Sequence, residues 1–577
     1  MSITTDFAWF GHTAGIETST MRFFVFGTAI SGLLLSSCGQ VLPGVEVTAL
    51  VGSALSDVCN QTADLVVREQ LKLSDGTVIG LNCRAMGSGD VVTEMVETAQ
   101  AVKSGQRPVD DPTIPTLISL DGDLEQDQLR YQVQVIEPKQ EWIPAPTDSP
   151  AFASSPMVLM TTPAIAKGLK GLPDPFTTLT TATNHRELDP SADDLPIRFV
   201  HTAPTRSNSG LQTLVAQFVA VSGKPAESLT LDDVRANTPK VEAIQSKITR
   251  YGASTGGLAK AMVNNGPFWA SIGSLYESLV VSSNLNRSAG QEQYVAVYPK
   301  ATFTSTMRLI LPQAPWVSER EREAAEVLMA FLLEERVQRL VGEIGLRPAN
   351  PAVKSNQITK ANGVDPKARY EALRSPKPEV VQAMMQAWLD VAKKPSRVAM
   401  VVDSSGSMNG EKIAALQNSL RLYLNQLGTR DVVALIDFDS EVRNPVVLDG
   451  KPESKAKGQA FVAGLVADGG TQLHNAVLAG RDWLASSGKA NEIRAVVVLT
   501  DGQDSGAGAS LDQLLQELRR TGFESDERIA VFSVGYGESG NFDATTLQAL
   551  AEGNGGEFVQ GTPETIRDLM NNMQLSF

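Results

Sequence analysis

Along the last third of the chain, apolar and polar positions alternate in blocks rather than residue by residue. Ala399-Met400-Val401-Val402 is a short apolar run, and it ends abruptly in Asp403-Ser404-Ser405-Gly406-Ser407. Glu411 to Leu427 follows, with Ile413, Leu416, Leu420, Tyr423 and Leu427 near helical spacing. Asp431 to Phe438 reads as a second buried strand, and Val446 to Gly450 as a hairpin-like return. Helices are expected around 461–466, 475–484, 511–520, 544–551 and 563–573, with strands at 496–499, 529–534 and 557–559. Continuous apolar runs alternating with helical patterns predict a mostly parallel sheet covered on both faces.

The first part of the chain repeats the alternation with different punctuation. Val45 to Val51 is a strand ending at Gly52-Ser53, and Val78 to Cys83 is another, leading to Met86-Gly87-Ser88-Gly89. Ile197 to Thr202 runs into Pro204-Thr205-Arg206-Ser207-Asn208-Ser209-Gly210 and a helix from Leu211. At each place a strand gives way to Gly and Ser at a helix start, where free N–H groups and the helix dipole attract anions or polar oxygens. Ser53, Ser88, Ser207 and Ser209 are thus candidate ligand contacts, and they read equally well as ordinary helix N-caps. Arg206 has two readings, as a partner of an anion or of a carboxylate. His185 and His201 stand apart from Cys and acidic residues and read as structural. A long helix is expected over 319–340. Lys354 to Pro378, rich in Lys, Pro, Asn and Ser, reads as a linker between modules.

The chemistry concentrates in three stretches of the last third. Asp403, Ser405 and Ser407 leave one strand tip together. Thr471 lies in the Gly469-Gly470-Thr471 loop, and Asp501 ends the apolar run Val496-Val497-Val498-Leu499. In an open α/β sheet such tips converge outside the carboxyl ends of the strands. Small oxygen donors with few carboxylates suit a hard divalent cation. Asp403 and Ser407 as mere caps of the following helix is the competing reading, weakened by three elements recurring in order. His474, three residues after Thr471, is expected to turn away from the site.

These residues resemble the von Willebrand factor A domain and its metal-ion-dependent adhesion site, in which Asp-x-Ser-x-Ser is followed by a loop Thr and a loop Asp. The resemblance implies that Ser405, Ser407 and Thr471 coordinate Mg²⁺ (or Mn²⁺) directly, and that Asp403 and Asp501 act largely through water. It also implies an open position on the ion for a carboxylate of a protein partner. Residues 44–353 resemble type II periplasmic substrate-binding proteins of the phosphate-like branch, two α/β lobes with a small anionic or polar solute between them. The expected fold is therefore α/β, a two-lobed binding module followed by a doubly wound A domain over 379–577.

Where this happens is suggested by the start of the chain. Met21-Arg22 precedes the apolar run Phe23 to Leu35, too short to span a bilayer and laid out like a secretory signal. Leu35-Ser36-Ser37-Cys38 resembles a bacterial lipobox, which implies a segment 1–38 ending in a diacylglycerol-modified Cys38, with Met21 an alternative start. Two acyl chains anchor stably where one does not. The chain would then be an exported lipoprotein tethered to the cell envelope. Cys59 and Cys83 remain as a pair in an oxidising compartment, joined as a disulfide or left as two buried thiols.

Composition narrows the function. The 577 residues carry a net charge of −15 and a pI near 5.0, against the basic face that nucleic acid requires. No Walker loop, His-Glu-x-x-His or nucleophile–His–acid set stands out, so a binding protein is expected rather than an enzyme. An alternative is an anion receptor for transport or sensing, with the A domain as a docking module.

Overall fold

The computed structural model describes residues 44–561, apart from 171, 173, 253, 289, 490, 503, 506–507, 521–528, 538–541, 553, 555 and 557. The signal run, Cys38 and the expected helix at 563–573 lie outside the described residues.

The C-terminal sheet has six strands in the order 446–449, 432–438, 396–403, 493–500, 530–536 and 558–561. All pairings are parallel except that of Val446–Asp449 with Val432–Phe438. The strands Ser396–Asp403 and Ile493–Thr500 are buried throughout, which is why each reads as an unbroken apolar run. Their side chains divide by parity. Val398, Met400 and Val402 pack with Leu416, Leu420 and Tyr423 of helix Glu411–Gln426. Ala399 and Val401 pack on the opposite face with Leu473, Ala476 and Val477 of helix Leu473–Ser487. Two helical layers thus fix the sheet, and the carboxyl ends of its strands open on one side.

The N-terminal module has two sheets. In the first, Val45–Gly52 lies between Ile79–Met86 and Leu117–Ser119, all parallel. The second is seven-stranded, with Phe199–Thr202 parallel to Ile248–Gly252 and Ile272–Tyr276, and Ala151–Thr161 antiparallel beside them. Cys59 on helix Ser56–Glu69 and Cys83 on the second strand are joined as a disulfide, with Cα atoms 6.0 Å apart.

Two expectations are corrected. The helix expected over 319–340 is two helices, Glu319–Leu332 and Glu335–Glu343. Gln338 Nε2 and Asn350 Nδ2 donate to the carbonyls of Leu332 and Leu333, taking over the acceptors at the break. The expected linker 354–378 is packed structure. Val364 is buried in the core of the second lobe, Tyr370 stacks on Tyr298, and Glu371–Ala372 pairs with Ala301–Thr302. Polar composition hid these few apolar anchors.

The consequence is a shared core. Helix Pro378–Ala387 continues into one π-turn, Trp388–Ala392, and Val380, Val381, Met384 and Trp388 are buried in a cluster with Val241, Ile244 and Tyr251 of the second lobe. The same cluster includes Val398, Met400 and Leu416 of the C-terminal domain. Trp388 Nε1 and Tyr251 Oη both donate to Gln245 Oε1, at 3.2 and 2.7 Å, and the rings of Tyr251 and Trp388 meet edge to face at 5.2 Å. Lys394 N–H donates to Tyr251 Oη at 3.1 Å. The Arg250 guanidinium lies 4.7 Å from the centre of the Phe532 ring across the seam.

Trp388→Ala removes the hinge-pin of this seam and is expected to cost about 3–5 kcal/mol. Urea denaturation and calorimetry should show the loss together with separate unfolding of the two modules. A single transition at the wild-type midpoint would contradict the shared core.

Candidate functional site

Three turns meet at the carboxyl end of the C-terminal sheet. Strand Ser396–Asp403 ends in Asp403, whose Oδ1 accepts the Ser405 N–H at 2.8 Å and whose Oδ2 accepts the Thr500 hydroxyl. The Ser405 and Ser407 hydroxyl oxygens are 3.0 Å apart, and Ser407 donates to Asp501 Oδ1 at 2.8 Å. The third loop is stitched to this turn by backbone bonds: Gly406 N–H to Gly469 O at 3.1 Å, and Asp468 N–H to Ser404 O at 2.9 Å. Gly469 takes φ +75°, the left-handed conformation that favours glycine. Thr471, two residues on, is buried, and Ser505 holds it by accepting its N–H and donating to its carbonyl, both at 2.7 Å.

Asp403 is fully buried, and burial, with Asp501 nearby, pushes its carboxyl up to about 6 against the Ser405 and Thr500 hydrogen bonds. On the solvent side, Lys412 Nζ stands 2.6 Å from Asp501 Oδ2 and 3.3 Å from the Ser407 carbonyl. Among the described residues no group of three or more His, Cys, Asp and Glu side chains is poised to hold a metal. A cation here would be held by hydroxyls with at most two carboxylates, a donor set that fits Mg²⁺ with several of its waters retained. His474 is turned away, its Nδ1 2.8 Å from Ala509 O.

A second convergence lies between the lobes of the N-terminal module. Gly52 ends the first strand, and Ser88, Asp121 and Arg206 to Ser209 follow the ends of other strands. Ser53 is the first residue of a short 3-10 turn whose N-cap is Gly52, so Ser53 is not the capping residue. The Ser88 hydroxyl is buried and accepts the Asp121 N–H at 3.0 Å. Ser207 and Ser209 form a hydroxyl cluster with Thr255 and Thr202, at separations of 2.7 to 3.2 Å. Neither Ser88 nor Ser207 caps its helix through the side chain. Arg206 pairs bidentately with Asp90 across the lobes, at 2.6 to 3.1 Å, and Gly89 N–H donates to Arg206 O at 2.9 Å.

Sequence reading passed over Asp121, Glu125, Thr500 and Lys412. Asp121 had a usable signal, since Leu117-Ile118-Ser119-Leu120 is mostly apolar and is followed by Asp-Gly. Lys412 had none beyond standing five residues after Ser407. His185 and His201 are buried and held down to about 4 by desolvation, consistent with neutral, structural rings.

Two lobes of α/β structure followed by a doubly wound, mostly parallel domain define a solute-binding architecture joined to an adhesion-type fold. The family model for bacterial extracellular solute-binding proteins matches residues 76–366, half of the chain. The chain belongs to that family, and residues 398–572 match the von Willebrand factor type A domain. An extracellular solute-binding domain implies an exported protein. Among the described residues no helix is long and apolar enough to cross a membrane.

Curated relatives match over little more than a quarter of this chain. Inter-alpha-trypsin inhibitor heavy chain H4 of Homo sapiens is 32% identical over 171 residues, 28% of this chain and 18% of that one. The E3 ubiquitin-protein ligase WAV3 of Arabidopsis thaliana is 28% identical over 169 residues, 28% of this chain and 23% of that one. The chain thus spans less than a quarter of the length of these relatives. Among solved structures, the sulfate-binding protein SubI from Mycobacterium tuberculosis H37Rv is similar at 15% identity and a TM-score of 0.37, covering 60% of this chain and 96% of that one. A von Willebrand factor type A structure from Catenulispora acidiphila is similar at 20% identity and a TM-score of 0.28, covering 32% of this chain and 42% of that one.

Arg206→Met would leave the partly buried Asp90 without its bidentate partner, at a cost of about 1–3 kcal/mol. Hydrogen exchange should quicken at the Gly89 amide before it quickens in the strands. Unchanged exchange at Gly89 would show that the bridge does not hold the lobes.

Proposed function

We propose that the protein is an exported, membrane-anchored binding protein whose A domain holds a divalent cation, Mg²⁺ by donor preference, and captures a carboxylate of a protein partner. The observation that carries the reading is the meeting of Ser405, Ser407 and Asp501 from separate stretches within hydrogen-bond distance, with the Thr471 loop bonded to the same turn. Ser405, Ser407 and Thr471 would hold the ion, with Asp403 and Asp501 orienting its waters. A bound divalent ion supplies a directional, charge-assisted contact for an acidic side chain. The chain's own task is to keep the hydroxyls fixed, which the Asp403 bonds to Ser405 N–H and Thr500 accomplish.

Lys412 modulates this arrangement. Its ammonium neutralises Asp501 from the open side, so it competes with an arriving cation for the same oxygen. The solute-binding module belongs to the same function, fixed to the A domain through the Trp388 seam. Anchoring through Cys38 is part of the reading and is tested by the mass of the mature N-terminal peptide. We infer binding rather than catalysis, because both matched families are of the binding and adhesion type.

Asp403→Ala is expected to weaken Mg²⁺ binding about 10–100-fold and to abolish Mg²⁺-dependent capture of partner in a pull-down, with the circular dichroism spectrum retained. Capture that persists in EDTA would refute the proposal. Lys412→Met should tighten Mg²⁺ binding about tenfold by removing the competing charge, measured by titration calorimetry. Equal or weaker affinity would show that Lys412 supports the ion instead.

A further inference from the structure

The interlobe cleft has a charge pattern opposite to the one its glycine- and serine-rich turns suggest. Asp121 follows strand Leu117–Ser119 and is 1% exposed; Glu125, in the first turn of helix Asp123–Ile136, is 3% exposed. A β-carbon at Gly52 would collide with the Asp121 carboxyl, so the acid sits at the start of the first helix, where an anionic solute would otherwise be received. The Ala54 N–H and the Ser88 hydroxyl favour its charged form. Among the described residues, however, neither Asp121 oxygen has a hydrogen bond of ordinary geometry, and neither does Glu125 Oε1.

An independent side chain points the same way. Asn208 is fully buried at the start of helix Asn208–Ser222. Its Nδ2 donates to Asp121 O at 2.9 Å and lies within 3.2 Å of Tyr276 Oη and Ser305 Oγ. Its Oδ1 lies against Gly122 with no partner among the described residues. Four of the unpartnered atoms can only accept while the carboxyls are ionised: both Asp121 oxygens, Glu125 Oε1 and Asn208 Oδ1; the Ser119 and Thr205 hydroxyls are unpartnered as well. Arg206 Nη1 is an unpartnered donor beside them, but its guanidinium charge is matched by Asp90. The Asp90 and Asp121 carboxyls both act on Glu125, Asp90 is bonded by the Arg206 guanidinium, and Arg308 is matched by Asp123. Buried acceptors without donors are costly, and an ammonium group, with three donors and one positive charge, answers that deficit.

We propose that the cleft recognises a primary ammonium group of a small solute, held between Asp121 and Glu125 with Asn208 Oδ1 as a third acceptor. This rests on reading residues 76–366 as a solute-binding module and names the solute's chemical class. The Arg206–Asp90 bridge and the Gly89–Arg206 backbone bond close the lobes over it. Without a cation, burial pushes Asp121 up to about 7, and burial with Asp121 and Asp90 pushes Glu125 up to about 8. The titratable groups acting on the pair are Asp90 and Tyr276, neither of which brings positive charge, and Arg206 beyond Asp90 is matched by it. Arrival of an ammonium ion therefore expels protons from the pair, and affinity rises with pH from 6 to 8.

The test is titration calorimetry of the full chain at pH 8 with ethanolamine, 1,4-diaminobutane, sulfate and succinate as probes. An amine is expected to bind, with an enthalpy that varies with the buffer's ionisation enthalpy because protons are released. Asp121→Asn and Glu125→Gln should each weaken it about tenfold or more. Folding of the variants is checked by melting: their raised folded-state pKa values mean the unliganded wild type loses stability as pH rises through 7 to 8, so both variants should melt higher at pH 8. Binding of sulfate or succinate without an amine would overturn the ammonium assignment and leave a solute module intact. Amine binding undiminished in both variants would overturn it too. No binding of any probe would overturn it for this cleft, while Mg²⁺-dependent partner capture, read separately, decides the A-domain function.

Discussion

Buried parallel strands leave their last residues as polar turns on one side of a sheet, and oxygen-rich turns gathered there need positive charge. That need shapes both ends of this molecule. In the A domain, Asp403 and Asp501 share a rim with the Ser405 and Ser407 hydroxyls, and Lys412 is the nearby cation on the open side. In the binding module, Arg206 answers Asp90 and leaves Asp121 and Glu125 without a matching charge. The two sites differ in how far water reaches. Lys412 is partly exposed, whereas Asp121 and Glu125 are enclosed, and burial pushes both carboxyls above the usual carboxylate range.

The modules that carry the two sites share a core. Trp388 and Tyr251 bond to one acceptor, Gln245, and the surrounding apolar cluster runs from helix Leu231–Gln245 to strand Ser396–Asp403. That strand ends in Asp403. The helix it packs near adjoins strand Phe199–Thr202, whose end carries Arg206.

Much of the architecture was legible in the sequence because burial on both faces writes itself as continuous apolar runs. Ala399 to Val402 and Val496 to Leu499 are such runs, and the Asp, Ser and Thr residues after them lie where strand ends place them. What stayed hidden depended on few residues or on distant partners. The stretch 354–378 looked like a linker because Val364 and Tyr370 are sparse among polar neighbours. The serines at 88, 207 and 209 lie after strand ends, but nothing near them in sequence records Asp121 and Glu125, which enter from a different segment. Gln338 and Asn350 broke a helix whose local spacing was continuous, which no local pattern records.

The central claim is that one cation sits among Ser405, Ser407 and Thr471. Crystals grown with Mn²⁺ and measured for anomalous scattering test it directly. The account predicts a single strong peak at about 2.0–2.2 Å from the Ser405 and Ser407 oxygens, with the Lys412 ammonium displaced from Asp501. A peak elsewhere, or none with Lys412 still seated on Asp501, would contradict it.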